Sequence, residues 1–310
     1  MKPVSTSFST LKRNQATNSA DPLVYGKTPP IGSGGSAIGT ILIESGRLSA
    51  ENAERISRLQ SDQGKRFGDL AIELGLLTDD DIRFALSRQF DDLYLPADDT
   101  SLNHQVVAAY KPFSPVVEKL RALRSQLMLR WFNAETHHNA LAIMSSSVGE
   151  GRSFIAANLA VVFSQLGERT LLIDADLRTP SQHELFKLGN TIGLSGMLAG
   201  RIGTEAIARI PTLPELYVLP AGAVPPNPQE LFGRAGFAEL LKSLIRDFDI
   251  VILDTPAANE YAEAQMIAAG SGSALILARK NQSSVSEMIK LTRSLQQTRT
   301  ALVGSVLNDF

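Results

Sequence analysis

Residues 139–180, NALAIMSSSVGEGRSFIAANLAVVFSQLGERTLLIDADLRTP, hold the residue types that chemistry on a phosphate needs. After the apolar run 140–144, the loop SSSVGEGRS presents successive backbone N–H groups at the start of a helix. Unpaired amides and the helix dipole favour an anion there. Gly149 and Gly151 permit the positive φ and close approach that such a loop requires. The candidate nucleotide-binding set is Ser147, Gly149, Glu150, Gly151, Arg152, Ser153 and Phe154. The run TLLIDAD then delivers Asp174 and Asp176 at the carboxyl end of a strand, where open parallel sheets bind ligands. Asp254 ends a second apolar run, DIVILDTPA. Carboxylates beside a triphosphate point to Mg²⁺ accompanying ATP.

The loop departs from G-x-x-x-x-G-K-[ST] at two positions. Ser146 stands where the first Gly would be, and Arg152 where the Lys would be. Ser is small enough for the turn. Arg keeps the charge but spreads it over a planar fork instead of a compact ammonium.

The elements that must position these residues alternate along the chain. Helical spacing over 153–166 follows the loop, and short helices are expected within 176–186 and 191–200. A strand is expected over 216–222, followed by the Pro-rich loop AVPPNPQELF and a helix over 237–246. Beyond DIVILDTPA come a strand over 274–278, a helix over 284–297 and a strand over 301–307. This alternation predicts an α/β fold with a mostly parallel sheet and right-handed crossovers. Before it, residues 116–132 carry Leu120, Leu123, Leu127 and Trp131 on one helical face, with Glu118, Arg121 and Arg124 on an adjoining stripe.

With 310 residues, 44% hydrophobic and 20% charged, the chain has room for two soluble globular domains. A net charge of −2 gives no support to a nucleic-acid partner. The absence of cysteine excludes disulfide and thiol chemistry and suits a reducing cytoplasm. No apolar run reaches membrane-spanning length and no signal peptide is evident, so membrane association is expected only through a partner.

Residues 1–36 are rich in Ser, Thr, Pro and Gly and read as a disordered arm. Residues 37–95 contain an internal repeat that predicts a small all-α domain of two helix hairpins. Aligned without gaps, 37–60 and 66–89 share Gly39 with Gly68, Glu44 with Glu73, Gly46 with Gly75, Leu48 with Leu77, and Gln60 with Gln89. In each half a Gly stops the first helix, and Ser49 or Thr78 opens the second. Residues 96–115 read as a linker, and 116–310 as the nucleotide domain.

The repeat resembles the MshEN variant of the N-terminal domain of type II secretion ATPases. That resemblance implies cyclic di-GMP binding through Arg66, Gly68, Gly75, Leu76 and Gln89. In the first half Ala37 stands in place of the Arg, and Ala53 and Ser57 in place of two leucines.

GEGRS, LLIDADLRTP, LPAGAVPPNPQELF, VILDTPA and the final VLN together resemble the bacterial tyrosine kinases of exopolysaccharide loci, most closely the chain-length determinant kinases of the EpsG type. This resemblance implies the fold of MinD/ParA-like P-loop NTPases and the activity of an ATP-dependent protein tyrosine kinase. It implies Asp174 as the base for a tyrosine hydroxyl, Ser153, Asp176 and Asp254 as Mg²⁺ ligands, and Asn308 as an adenine contact. Glu118, Arg121 and Arg124 match the family's E-x-x-R-x-x-R motif and imply homo-oligomeric assembly. The implied partner is an inner-membrane chain-length determinant protein, which would hold a cytoplasmic chain at the membrane. The chain ends at Phe310, so autophosphorylation on a tyrosine-rich tail is not expected.

Two other readings start from the same residues. One is a catalytically weak nucleotide switch whose repeat domain senses cyclic di-GMP. The other is a positioning ATPase of the MinD/ParA kind, against which Ser147 stands where that group carries a second Lys.

Overall fold

In the computed structural model, the residues described are 34–89, 94–96, 98–132 and 139–309. The arm expected over 1–36 lies, up to residue 33, outside them.

The repeat forms four helices: α1 (Gly34–Glu44), α2 (Ala50–Gln63), α3 (Phe67–Glu73) and α4 (Asp79–Gln89). Gly46 and Gly75 take φ of 70° and 64°, which allows each tight turn between the helices of a half. The Ser49 hydroxyl accepts the Asn52 N–H, and Thr78 and Asp81 exchange a capping-box pair of hydrogen bonds. Helix α1 packs on α4 and α2 on α3, so the halves interleave. Leu42, Ile56, Phe67, Leu70 and Ala85 form their shared core.

Residues 98–114, expected as a linker, lie on the α/β unit. Leu102, Val106, Ala108, Ala109 and Tyr110 are buried in its core, in and around the short helix α5 (Val107–Tyr110). The physical reason is Asn158, a fully buried polar residue. Its Oδ1 accepts the Ala108 N–H at 2.9 Å and its Nδ2 donates to Gln105 O at 3.0 Å, so this segment satisfies it. Helix α6 (Pro115–Arg130) starts with Ser114 as N-cap and Pro at its first turn, and buries Val117, Leu120 and Leu127.

The α/β unit then runs β1 (Ala140–Ser145), α7 (Arg152–Ser164), β2 (Thr170–Asp174), α8 (Gln182–Leu185), α9 (Leu194–Leu198), β3 (Ala208–Arg209) and β4 (Leu216–Leu219). It continues with α10 (Pro228–Gly233), α11 (Ala235–Asp247), β5 (Ile250–Asp254), α12 (Glu263–Ser271), β6 (Ser273–Arg279), α13 (Val285–Gln297) and β7 (Ala301–Asn308). Among the described residues the sheet has seven strands in the order β3-β4-β2-β5-β1-β6-β7. Every pairing is parallel except β3 with β4, a short antiparallel edge that the alternation of elements did not indicate.

Helices cover both faces of this sheet, so its central strands are buried throughout and mainly apolar instead of alternating with exposed polar residues. Leu141, Ile143, Leu172, Ile250 and Ile252 join the core beneath α7. Leu171, Ile173, Val251 and Leu253 join the core on the opposite face. The two-residue strand period therefore sends Asp174 and Asp254 to the face that α7 covers.

Candidate nucleotide and phosphoryl-transfer site

Strand β1 ends at Ser145 and helix α7 begins after Gly151, with the loop between them at the carboxyl edge of the sheet. Gly149 and Gly151 have φ of 77° and 94°, the left-handed region that the loop was expected to require. The loop is braced from within. Glu150 is 2% exposed, and its Oε2 accepts the Ser147 N–H at 2.7 Å, while Oε1 accepts the Ser283 hydroxyl. The Ser147 hydroxyl donates to Glu287 at 3.2 Å. Asn308, at the end of β7, donates its side-chain amide to Glu150 O at 3.2 Å, and Arg279 donates to Gly149 O. Phe154 is half-buried and packs on the core beneath α7.

Arg152 lies under this loop. It is 9% exposed, with Nε donating to Thr255 O at 2.8 Å and Nη1 donating to Ser147 O at 2.7 Å and to the Ser145 hydroxyl. One guanidinium thus joins the end of β1, the phosphate loop and the residue after β5. The fork that distinguishes Arg from Lys allows these divergent bonds. The same cation also favours ionisation of Asp254.

Asp174 and Asp254 are register partners in the β2–β5 ladder, and both are fully buried. Asp174 Oδ2 accepts the N–H groups of Ser181 and Gln182 at 3.0 and 2.9 Å. Asp254 Oδ2 accepts Gln182 Nε2 at 2.8 Å. Each Asp keeps its Oδ1 buried and without a hydrogen-bond partner among the described residues. Burial, reinforced by the neighbouring Asp254, raises the Asp174 pKa well above the usual carboxylate range. Burial also lifts Asp254 to about 6, against the pull of the Ser153 hydroxyl, the Gln182 amide and Arg152.

Asp176 is arranged differently. Oδ1 accepts the N–H groups of Arg178 and Thr179, and Oδ2 accepts the Thr179 hydroxyl at 2.9 Å, so both oxygens close the turn after β2. The unpartnered oxygens of Asp174 and Asp254, with the Ser153 hydroxyl beside Asp254, form a donor set that fits a hard cation. No cluster of three or more acidic or His side chains suited to a metal occurs among the described residues. A cation at this edge would thus take its remaining ligands from phosphate and water.

A family model described as the CobQ/CobB/MinD/ParA nucleotide binding domain matches residues 141–310. The chain belongs to this nucleotide-binding family. Bacillus subtilis tyrosine-protein kinase YwqD is 32% identical over 207 residues, covering 67% of this chain and 86% of that protein. Salmonella typhimurium tyrosine-protein kinase wzc is 32% identical over 206 residues, 66% of this chain but only 28% of that longer protein. The solved kinase domain of Escherichia coli tyrosine kinase ETK matches with a TM-score of 0.64 and 32% identity, covering 68% of this chain and 82% of that one. This member of the nucleotide-binding family is therefore homologous to bacterial tyrosine-protein kinases.

Two features of this family member lay beyond sequence reasoning. Gln182 holds both strand-end carboxylates, yet its surroundings in the chain, SQHELF, carry no signal for that role. Arg178 pairs with Glu263, which is 1% exposed, and stacks 4.2 Å above the Tyr261 ring. Beside Arg178 an open cleft of about 480 Å³ extends to Pro226, Asn227 and Met266, within the Pro-rich segment and α12.

The remaining predicted residues lie elsewhere. Arg121 bonds Glu118, Pro112 O and the Tyr94 hydroxyl, and Arg124 bonds Val162 O, so both arginines already have partners within the chain. In the helical domain Arg66 is the exposed N-cap of α3, Gly68 lies within α3, Gly75 forms the turn, and Leu76 is half-buried. Gln89 ends α4, and its side chain lies outside the described residues. A cleft of about 470 Å³ opens instead on the first half, lined by Gly39, Ala53, Ser57 and Phe67 among others.

No helix among the described residues is long and apolar enough to cross a membrane.

Proposed function

We propose that the chain is an ATP- and Mg²⁺-dependent protein tyrosine kinase that regulates exopolysaccharide chain length, polymerisation and export. The observation that carries this reading is the Asp174–Asp254 pair, with an unpartnered oxygen on each, set beside a phosphate loop in a chain homologous to tyrosine kinases. The loop amides and the α7 N-terminus would hold the phosphates, and Ser153 and Asp254 would hold Mg²⁺. Bound Mg²⁺ would neutralise charge on the transferring phosphoryl group. Asp174, its pKa raised by burial and by the neighbouring Asp254, would take the proton from a tyrosine hydroxyl. The acceptor polypeptide would enter by the cleft beside Arg178. Asn308 would meet the adenine, and Glu118, Arg121 and Arg124 would lie at a contact between copies. An inner-membrane chain-length determinant protein would recruit the chain.

The test is Mg²⁺-ATP-dependent phosphotyrosine formation, read by mass spectrometry on the purified chain with and without the partner's cytoplasmic segment. Wild type should give signal and Asp174→Asn should lose it. Retained ATP binding with no phosphotyrosine from any variant would overturn the kinase reading.

The bonds made by Arg152 favour a second reading, a catalytically weak ATP-binding switch; they carry no support for the cyclic di-GMP sensing that the same reading assigns to the helical domain. A guanidinium held by Thr255, Ser147 and Ser145 must leave acceptors behind to reach a phosphate. Silence in wild type with signal in Arg152→Lys would select this reading. Its sensing half requires cyclic di-GMP binding that Arg66→Ala weakens.

A further inference from the structure

Four of the five tyrosines lie among the described residues, and they differ in what meets the hydroxyl. Tyr110 is 8% exposed and its hydroxyl is bonded to the backbone of Leu102. Tyr217 packs edge-on against Phe248 in the sheet, and Tyr261 lies beneath Arg178. Tyr94 is half-buried, just before the segment that enters the α/β unit, and its hydroxyl accepts a hydrogen bond from Arg121 Nη2 at 2.6 Å.

The surroundings of Tyr94 fix its ring and leave cationic groups at its tip. Leu95 N–H donates to Ala109 O at 2.8 Å, and the Tyr94 ring meets that of Phe113 at 6.0 Å. Arg121 also bonds Pro112 O at 2.8 Å and pairs with Glu118, a carboxylate that is 60% exposed and so only weakly held. Arg124, one turn along α6, is near enough for the charges of Arg121 and Tyr94 to act on it, and its Nε is buried without a partner among the described residues. A guanidinium already bonded to a tyrosine oxygen, beside a second with an unused donor, is the setting that a phosphate dianion favours.

We propose that Tyr94 is a phosphorylation site whose phosphate is received by Arg121, locking the entry segment onto α6. As self-phosphorylation between copies, this rests on the kinase reading above. Tyr94 Oη attacks the γ-phosphorus of ATP, the Oη–P bond forms and the bond to the β,γ-bridging oxygen breaks. ADP leaves, and the phenolic proton passes to the carboxylate base of the catalysing copy. The phosphate then displaces Glu118 from Arg121, freeing an acidic side chain on the exposed face of α6.

Two measurements on the full chain test this. In the first, the chain is incubated with Mg²⁺-ATP and a poly(Glu,Tyr) polymer, and phosphotyrosine is mapped by mass spectrometry. Phosphate on Tyr94 is expected, with Tyr94→Phe still phosphorylating the polymer; polymer phosphorylation with Tyr94 unmodified would overturn the proposal. An unmodified polymer counts against the kinase reading and leaves the second measurement to decide. There, phosphotyrosine is installed at position 94 by codon suppression. The melting temperature should rise by about 2–4 °C. Arg121→Gln should abolish the rise, and Arg121→Lys should restore only part of it. No rise, or the same rise in Arg121→Gln, means that Arg121 does not receive the phosphate.

Discussion

Asp174 and Asp254 sit side by side at the ends of β2 and β5, and one residue, Gln182, donates to both of them. Two buried acids on adjacent parallel strands repel when both ionise, and burial disfavours either charge. Gln182 offsets part of this with its backbone N–H on Asp174 and its side-chain amide on Asp254.

Replacing Gln182 by Leu removes the amide from Asp254 and from Ser153 O, to which it also donates at 3.1 Å. The expected loss is about 1–3 kcal/mol, the usual effect of leaving a buried acceptor unpaired. Urea unfolding at pH 7.5 measures it. An unchanged midpoint would mean that Gln182 does not support the pair.

The acid pair also sets a pH dependence. The Asp254 pKa rises on folding from 3.8 to about 6, so its favourable contribution is complete below 3.8 and lost as pH climbs through 6. The Asp174 shift has the same sign. The Asp254 shift corresponds to about 3 kcal/mol. Asp254→Asn should therefore be more stable than wild type at pH 7.5 and equal to it near pH 4. Melting curves across that interval check the sign, and a wild type that is the more stable at pH 7.5 would contradict it.

Arg152 should matter to stability as well as to phosphate. Arg152→Ala strips Thr255 O, Ser147 O and the Ser145 hydroxyl of a charged donor, at a cost of about 2–3 kcal/mol. Arg152→Lys, lacking the fork, should recover only part of that loss. Equal stability of Lys and Arg in denaturant titrations would show that the fork is unnecessary.

Gly193 is held to glycine by space and not by its φ of 172°. A Cβ there would lie 2.2 Å from Pro220 O and 2.4 Å from Gly222 N, both backbone atoms. Gly193→Ala should destabilise by about 2–4 kcal/mol. Gly189→Ala, where nothing lies within 4 Å, is the control and should leave the melting temperature nearly unchanged.

The two halves of the helical repeat pack differently over their equivalent glycines. Ile82 fills the space over Gly68, so that a Cβ on that glycine would lie 3.1 Å from it, whereas Ala53 at the equivalent place leaves the cleft over Gly39 open. Ala53→Ile should stabilise the chain by about 1 kcal/mol by burying the added carbons. A lower melting temperature would show that the cleft is too narrow for them.

Much of the fold could be read from the residues because its signals are local. Apolar runs ending in acids marked β2 and β5, glycines marked the phosphate loop, and Ser49 and Thr78 marked helix starts that capping bonds realise. Residues 98–114 were harder to place, since Pro and polar residues hid the few apolar ones that Asn158 draws onto α7. The edge strand β3, with only Ala208 and Arg209, is too short to show any period.

By itself the sequence determined the order of the six parallel strands, the phosphate loop and the two acid-bearing strand ends, because each depends on neighbours within a few positions of the chain, whereas the helix α12 (Glu263–Ser271) went unread. Only the tertiary structure decided which oxygens of those acids stay unpartnered, where the Arg152 fork is held and what Gln182 bridges. Those outcomes depend on strand register and on contacts such as Arg152 with Thr255 and Gln182 with Asp254, between residues far apart in the chain. No local pattern encodes them, because burial and pairing exist only once the sheet has closed around them.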